Sequence, residues 1–146
     1  MDQQAFCKLY ETYKNGVFRY ILSIVKNSAL AEDILQDTFV KVLTGGLRCA
    51  PGKEQAWLYR VSRNLCYDRL RRLKKEQTYA EMPEAQNECA YMEMIASLSP
   101  KDREIVTLRI VGGLSHKEIG RVLGITAGAA QKRYERAIAI LRSEED

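Results

Sequence analysis

Glu32, Asp33, Gln36 and Asp37 fall at i, i+1, i+4 and i+5, a spacing that sets four oxygen-bearing side chains on one flank of a helix. Such a cluster could hold a metal ion, supply an acid/base pair, or meet a basic surface of another protein. No His or Cys accompanies it and no second carboxylate motif lies near. A solvated face and a docking face for a basic protein helix are the readings left. A second set lies between Trp57 and Arg72, where Arg60, Arg63, Arg69, Arg71 and Arg72 are mixed with Tyr59, Asn64 and Tyr67. Arginines anchor phosphates, and Asn and aromatic rings engage bases, including unstacked ones. A charged surface helix whose aromatics serve the core would carry the same residues.

A third set runs from His116 to Glu135 and fits a helix-turn-helix. That motif needs a small residue in its first helix where the second crosses, and a residue tolerant of positive φ at the turn. Gly120 and Gly124 meet these needs, and Ile119, Leu123, Ile125 and Ala130 supply the apolar contacts. Ala130, Tyr134, Ala137 and Leu141 set the buried side of the last helix. At 100° per residue, Ala129, Lys132 and Arg136 then point outward, with Gln131 and Arg133 on the shoulders. Lys and Arg on such a face reach guanine edges or phosphates, Gln reads adenine, and Ala touches a thymine methyl. A non-DNA helical hairpin with a solvated basic face is the alternative.

The elements that must position these sets are helical throughout, and no strand alternation is visible. The first helix carries Phe6, Leu9, Tyr10, Tyr13, Val17, Tyr20, Ile21 and Ile24 at three- and four-residue steps. Asn27-Ser28 offers caps for a second, whose apolar face is Ala31, Ile34, Leu35, Thr38, Phe39 and Val42 and which stops at Gly45-Gly46. A third begins near Lys53 or Glu54 and runs to about Lys75, with Trp57, Leu58, Val61, Leu65 and Leu70 as its expected buried side. Residues 77–94 are acidic and contain Pro83, and they read as a mobile or partly helical tether. Three short helices follow: one opened by Ser99-Pro100, one by the Ser115/Glu118 capping box, and one by Thr126.

The chain has 146 residues and a net charge of +4, which is too small to name a partner. Its distribution is informative: residues 47–76 carry +6, residues 77–98 carry −4, and residues 99–146 carry +2. Hydrophobic residues at 46% and charged ones at 29% exclude wholesale disorder. No stretch is apolar for long enough to cross a bilayer, and the first residues lack a signal-peptide pattern, so a cytoplasmic location is expected. Cys7, Cys49, Cys66 and Cys89 form no C-x-x-C, and His116 is the only histidine. Reduced thiols, with no metal site and no cofactor, are expected. No nucleophile–base pair is visible, so an enzyme is not expected.

Taken together, the three sets resemble a bacterial RNA polymerase sigma factor of the extracytoplasmic-function group, which is sigma-70-like. Ala31-Glu32-Asp33-Ile34-Leu35-Gln36-Asp37-Thr38-Phe39 is close to the polymerase-docking signature of the family's second conserved region. Trp57-Leu58-Tyr59-Arg60-Val61-Ser62-Arg63-Asn64, with Asp68 and Arg71-Arg72, resembles its −10-reading helix. Leu98-Ser99-Pro100, Arg103-Glu104-Ile105-Val106, Gly113-Leu114-Ser115, Glu118-Ile119-Gly120, Leu123-Gly124-Ile125-Thr126 and Arg133-x-x-Arg136-Ala137 are similar to its fourth region. The chain departs from the family at Ala129-Ala130-Gln131-Lys132, where Thr-Val-Lys-Ser is common, and at Gly120, where Ala is usual.

The resemblance implies an all-α protein of two small helical domains joined by a flexible linker. Residues 1–76 would dock on polymerase and read the −10 element, residues 77–94 would be the linker, and residues 95–146 would be the helix-turn-helix domain that reads the −35 element. Glu32, Asp33, Gln36 and Asp37 would bind core RNA polymerase. Arg60, Arg63, Asn64 and Tyr67 would engage the −10 element, and Ala129, Gln131, Lys132, Arg133 and Arg136 the −35 element. The implied partners are core polymerase, promoter DNA and, as for many relatives, an anti-sigma factor, with no membrane insertion. A stand-alone helix-turn-helix regulator of mobile-element origin and a helical interaction module with merely solvated basic faces are the competing readings.

Overall fold

Asp2 opens the first helix by accepting the Ala5 N–H at 2.7 Å. The computed structural model describes residues 2–76 and 90–145. Helix α1 (Gln3–Val25) ends where Lys26 turns left-handed, at φ 55°. Asn27 then caps α2 (Ser28–Gly45) by accepting the Leu30 N–H at 2.9 Å. Gly46, at φ 73°, lets the chain leave α2, and α3 (Glu54–Lys75) follows. These helices bury Val17, Ile21, Ile34, Phe39 and Leu58, with Tyr10 edge-on to Phe39 at 4.9 Å.

The second module begins earlier than its sequence indicates. Helix α4 (Ala90–Ile95) lies largely within the segment read as tether, and it buries Met92 and Ile95. The rest of that segment, residues 77–89, lies outside the described residues, as does Cys89. Ser99 caps α5 (Pro100–Ile110), and the reciprocal Ser115–Glu118 bonds cap α6 (His116–Leu123). Helix α7 (Ala127–Glu145) starts from Thr126, whose hydroxyl accepts the Ala129 N–H at 3.1 Å. It is a long helix, where a short one is expected from sequence. Gly124 takes φ 71° at the turn. Gly120 sits so close to that turn that a Cβ would lie 2.5 Å from the Ile125 carbonyl oxygen. Close approach therefore accounts for glycine at this position.

The two modules do not stand apart. Helix α5 packs on α1, and α6 packs on α3, so one apolar interior runs through both. This corrects the expected buried side of α3. Leu58 is buried, but Trp57, Val61, Leu65 and Leu70 are only half-buried. Trp57, Leu65 and Leu70 still pack against the core, and Ala56, Tyr59, Ser62 and Cys66 form a second, buried line, because the second module covers that flank. Tyr59 marks the seam. Its ring meets Tyr20 at 5.3 Å, and a Cβ on Gly112 of the second module would lie 3.2 Å from its hydroxyl. Burial holds the Tyr59 phenol up at about 12. The Gln55 side-chain amide also donates to the Gly112 carbonyl across the seam. Among the described residues there is no strand, and no helix is long and apolar enough to cross a membrane.

Candidate nucleic-acid interface

Helix α7 presents the face that its sequence predicts. Ala130 and Ala137 are fully buried and Tyr134 half-buried, which fixes the rotation of the helix. Ala129, Gln131, Lys132 and Arg136 are exposed, and Arg133 is half-buried. Glu135 shares this face and accepts from the Gln131 amide at 3.2 Å. Between the charges, Lys132, Glu135, Arg136 and Ala139 line a shallow depression. A cationic face of this kind, on the second helix of a Gly124 turn, has the shape and charge that a major groove admits.

Helix α3 divides its expected DNA-binding residues between two flanks. Arg60 and Asn64 are exposed, and Asn64 lines a cleft of about 570 Å³ between α2 and α3. Trp57, Lys41, Arg48 and Arg71 line the same cleft, giving it an aromatic wall and a largely cationic rim in which Asp68 pairs with Arg71 at 3.6 Å. An unstacked base against a ring, with its phosphates on Lys and Arg, suits such a surface. Arg63 and Tyr67 lie on the other flank, under the second module. Arg63 Nε donates to Glu104 Oε1 at 3.0 Å, the Tyr67 hydroxyl donates to Glu104 Oε2, and the Tyr20 hydroxyl donates to Glu104 Oε1 at 2.7 Å. The Arg63 guanidinium also lies 4.8 Å from the centre of the Tyr67 ring.

Electrostatics follow from that geometry. The Glu104 side chain is 2% exposed, so its charge is satisfied by these three donors rather than by water. Partial burial works against the Arg63 charge, but the Glu104 carboxylate outweighs it and holds the guanidinium above its ordinary value. Burial first, and the neighbouring carboxylate second, push the Tyr20 and Tyr67 phenols well up. Cys66 beside them is also pushed up, chiefly by burial, which makes it a poor nucleophile.

The acidic flank of α2 is only partly free. Glu32 and Gln36 are exposed. Asp33 and Asp37 instead share one arginine, with Arg69 Nη1 at 2.7 Å from Asp33 and Nη2 at 2.8 Å from Asp37. Val40 and Leu43 continue the exposed side of α2 as apolar residues, at 50% and 62% exposure. Sequence reasoning missed the roles of Arg69, Tyr20 and Glu104. The i, i+4 pair of aspartates was a usable signal for Arg69, because a guanidinium fork spans that spacing. The Glu104 contacts carry no local signal, since their partners are far off in the chain.

Comparison with known proteins places both halves. Residues 9–76 match the family described as Sigma-70 region 2, and residues 90–141 match Sigma-70, region 4. The RNA polymerase sigma factor CarQ of Myxococcus xanthus is 32% identical over 96% of the chain and 88% of its own length. The ECF RNA polymerase sigma factor BldN of Streptomyces coelicolor is 33% identical over 96% of the chain, which spans 60% of the BldN length. In three dimensions, CnrH, solved in complex with the cytosolic domain of CnrY, superposes with a TM-score of 0.72 at 25% identity over 99% of this chain and 90% of that one. The sigma factor RpoE, solved with the anti-sigma factor NepR from Bartonella quintana, shares the fold at a TM-score of 0.78 and 22% identity, covering 96% of each chain.

Proposed function

The chain belongs to the ECF group of sigma-70-type RNA polymerase sigma factors, which direct core polymerase to promoters, and we propose that its faces divide the promoter as follows. Residues 1–76 form the docking and −10 unit, residues 90–146 the −35 unit, and the residues between connect them. Glu32, Asp33, Gln36 and Asp37 meet a basic helical surface of core polymerase, and exposed Val40 and Leu43 extend the contact with apolar area. Arg60, Arg63, Asn64 and Tyr67 engage the −10 element as it opens. Ala129, Gln131, Lys132, Arg133 and Arg136 read the −35 element as duplex. The polymerase performs the catalysis, and this chain contributes binding and selection in the cytoplasm. An anti-sigma factor is the further partner we expect. A stand-alone regulator would leave the entire region 2 half without a role.

The observation that carries this assignment is the exposed cationic face of α7 beyond the Gly124 turn, with its apolar side locked by Ala130 and Ala137. Each face makes few phosphate contacts alone, so specific binding needs both held together by polymerase. Run-off transcription with core polymerase tests the proposal. Lys132→Ala with Arg136→Ala should lower initiation by at least about 30-fold, since each of the two contacts to a base or phosphate contributes about 1–3 kcal/mol. Core binding should be unchanged. If the double variant initiates like the parent chain, the −35 assignment fails.

A further inference from the structure

The buried carboxylate at the seam of the two modules has a geometry that suggests a second occupant. Three donors from the first module, the Tyr20 and Tyr67 hydroxyls and Arg63 Nε, converge on the carboxylate of Glu104 from the second. The donors come from α1 and α3 and are fixed by contacts inside their own module: Tyr20 against Tyr59, and Arg63 over the Tyr67 ring. These contacts lie within the first module and gather the three donors into one anion site. Next to it, a cleft of about 230 Å³ is lined by Arg63, Lys101, Arg133, Leu123 and Ile125 as well as Glu104. Three cations thus face a single carboxylate, so the surroundings attract more negative charge than Glu104 supplies.

We propose that Glu104 is an internal stand-in for a DNA phosphate, holding the two modules closed over Arg63 and Tyr67 until a phosphodiester takes its place. A phosphodiester offers two anionic oxygens, as a carboxylate does, and accepts the same hydroxyl and guanidinium donors. Exchange passes Arg63 and Tyr67 from Glu104 to the phosphodiester, lifts α5 and α6 from α1 and α3, and exposes Tyr20 as an additional phosphate ligand. The inference rests on the −10 assignment of Arg63 and Tyr67. It adds that the free chain keeps these residues occupied. Binding at that face is then weakened by the fraction of chains that are closed.

The test uses the full chain, small-angle scattering for its radius of gyration, and fluorescence anisotropy with labelled single-stranded oligothymidylate. An oligomer with uncharged methylphosphonate linkages is the control for the phosphate. Glu104→Gln keeps the shape but removes the charge. It should enlarge the radius of gyration at unchanged helicity and bind the charged oligomer about tenfold more tightly. The parent chain should expand when saturated with the charged oligomer, and the uncharged one should give neither effect. Tyr20→Phe removes one donor and should produce a smaller expansion. It decides the matter if Glu104→Gln loses helicity. An unchanged radius in a helical variant overturns the proposal, as does expansion without a gain in affinity. The −10 assignment is tested separately by Arg60→Ala with Asn64→Ala in run-off transcription. If promoter opening falls there while Glu104→Gln changes nothing, only the internal competition fails. If promoter opening is untouched, the −10 assignment itself fails.

Discussion

Helices α3 and α7 are both amphipathic and both basic, yet one has its second flank covered and the other does not. On α7 the small residues Ala130 and Ala137 are buried, and Lys132 and Arg136 stand in solvent. On α3 the second module lies over Tyr59, Ser62 and Cys66 and draws Arg63 and Tyr67 into contact with Glu104. The residue types are similar, so the difference comes from what packs against them. A basic helix that is half-covered by its own chain is available only after a rearrangement, whereas an uncovered one is available at once.

The largest expected effect that could break this comparison is at Tyr59. Its side chain is 1% exposed and touches both modules. Tyr59→Ala should destabilise the chain by about 3–5 kcal/mol, as large aromatic deletions in a core do. Lys132→Ala, on the open helix, should change stability by less than about 0.5 kcal/mol. Urea denaturation of the two variants measures the contrast. Similar costs at both positions would mean that α3 is not covered in solution.

A smaller effect sharpens the comparison through pH. The folded Tyr59 phenol sits at about 12, above its ordinary value of 10.0, and Tyr20 and Tyr67 are also raised. The unfolded chain therefore loses these protons first. The stability tied to them is complete below pH 10 and falls as pH rises toward 12. The slope for one such phenol is about 1.4 kcal/mol per pH unit. Tyr59→Phe keeps the ring and removes the proton, so its stability should decline less steeply between pH 10 and 12 in alkaline denaturation. An identical decline would show that the phenol is hydrated.

The same contrast explains what was legible in the sequence. Helix starts were legible because caps are local: Asn27, Ser99, Thr126 and the Ser115–Glu118 box all act within three residues. The rotation of α7 was legible because its buried side is one narrow stripe of Ala130, Tyr134, Ala137 and Leu141. The rotation of α3 was not, because Trp57, Val61 and Leu65 look like a core stripe. The second buried line of Ala56, Tyr59, Ser62 and Cys66 acquires meaning only when another module is laid on it. Gly120 was legible as a crossing point, while its departure from the usual alanine was explained only by the 2.5 Å approach to Ile125. The start of α4 was hidden by the acidic character of the residues before it.

The smallest effect concerns the other shielded charges, on α2. Arg69 is 24% exposed, and its partners Asp33 and Asp37 are 53% and 47% exposed, so the pairing adds no more than about 1 kcal/mol of stability. Its larger consequence is for docking. Arg69 offsets one of the three negative charges on a flank that we assign to a basic surface of polymerase. Arg69→Gln releases both carboxylates and should raise the association rate with core polymerase by roughly a fewfold at low salt, with a steeper salt dependence. Asp33→Arg should do the opposite. Stopped-flow association across a salt series separates two roles for the pair. If Arg69→Gln is slower rather than faster, then Arg69 serves docking by holding the aspartates in position, and the acidic flank of α2 works as an ordered constellation rather than as free charge.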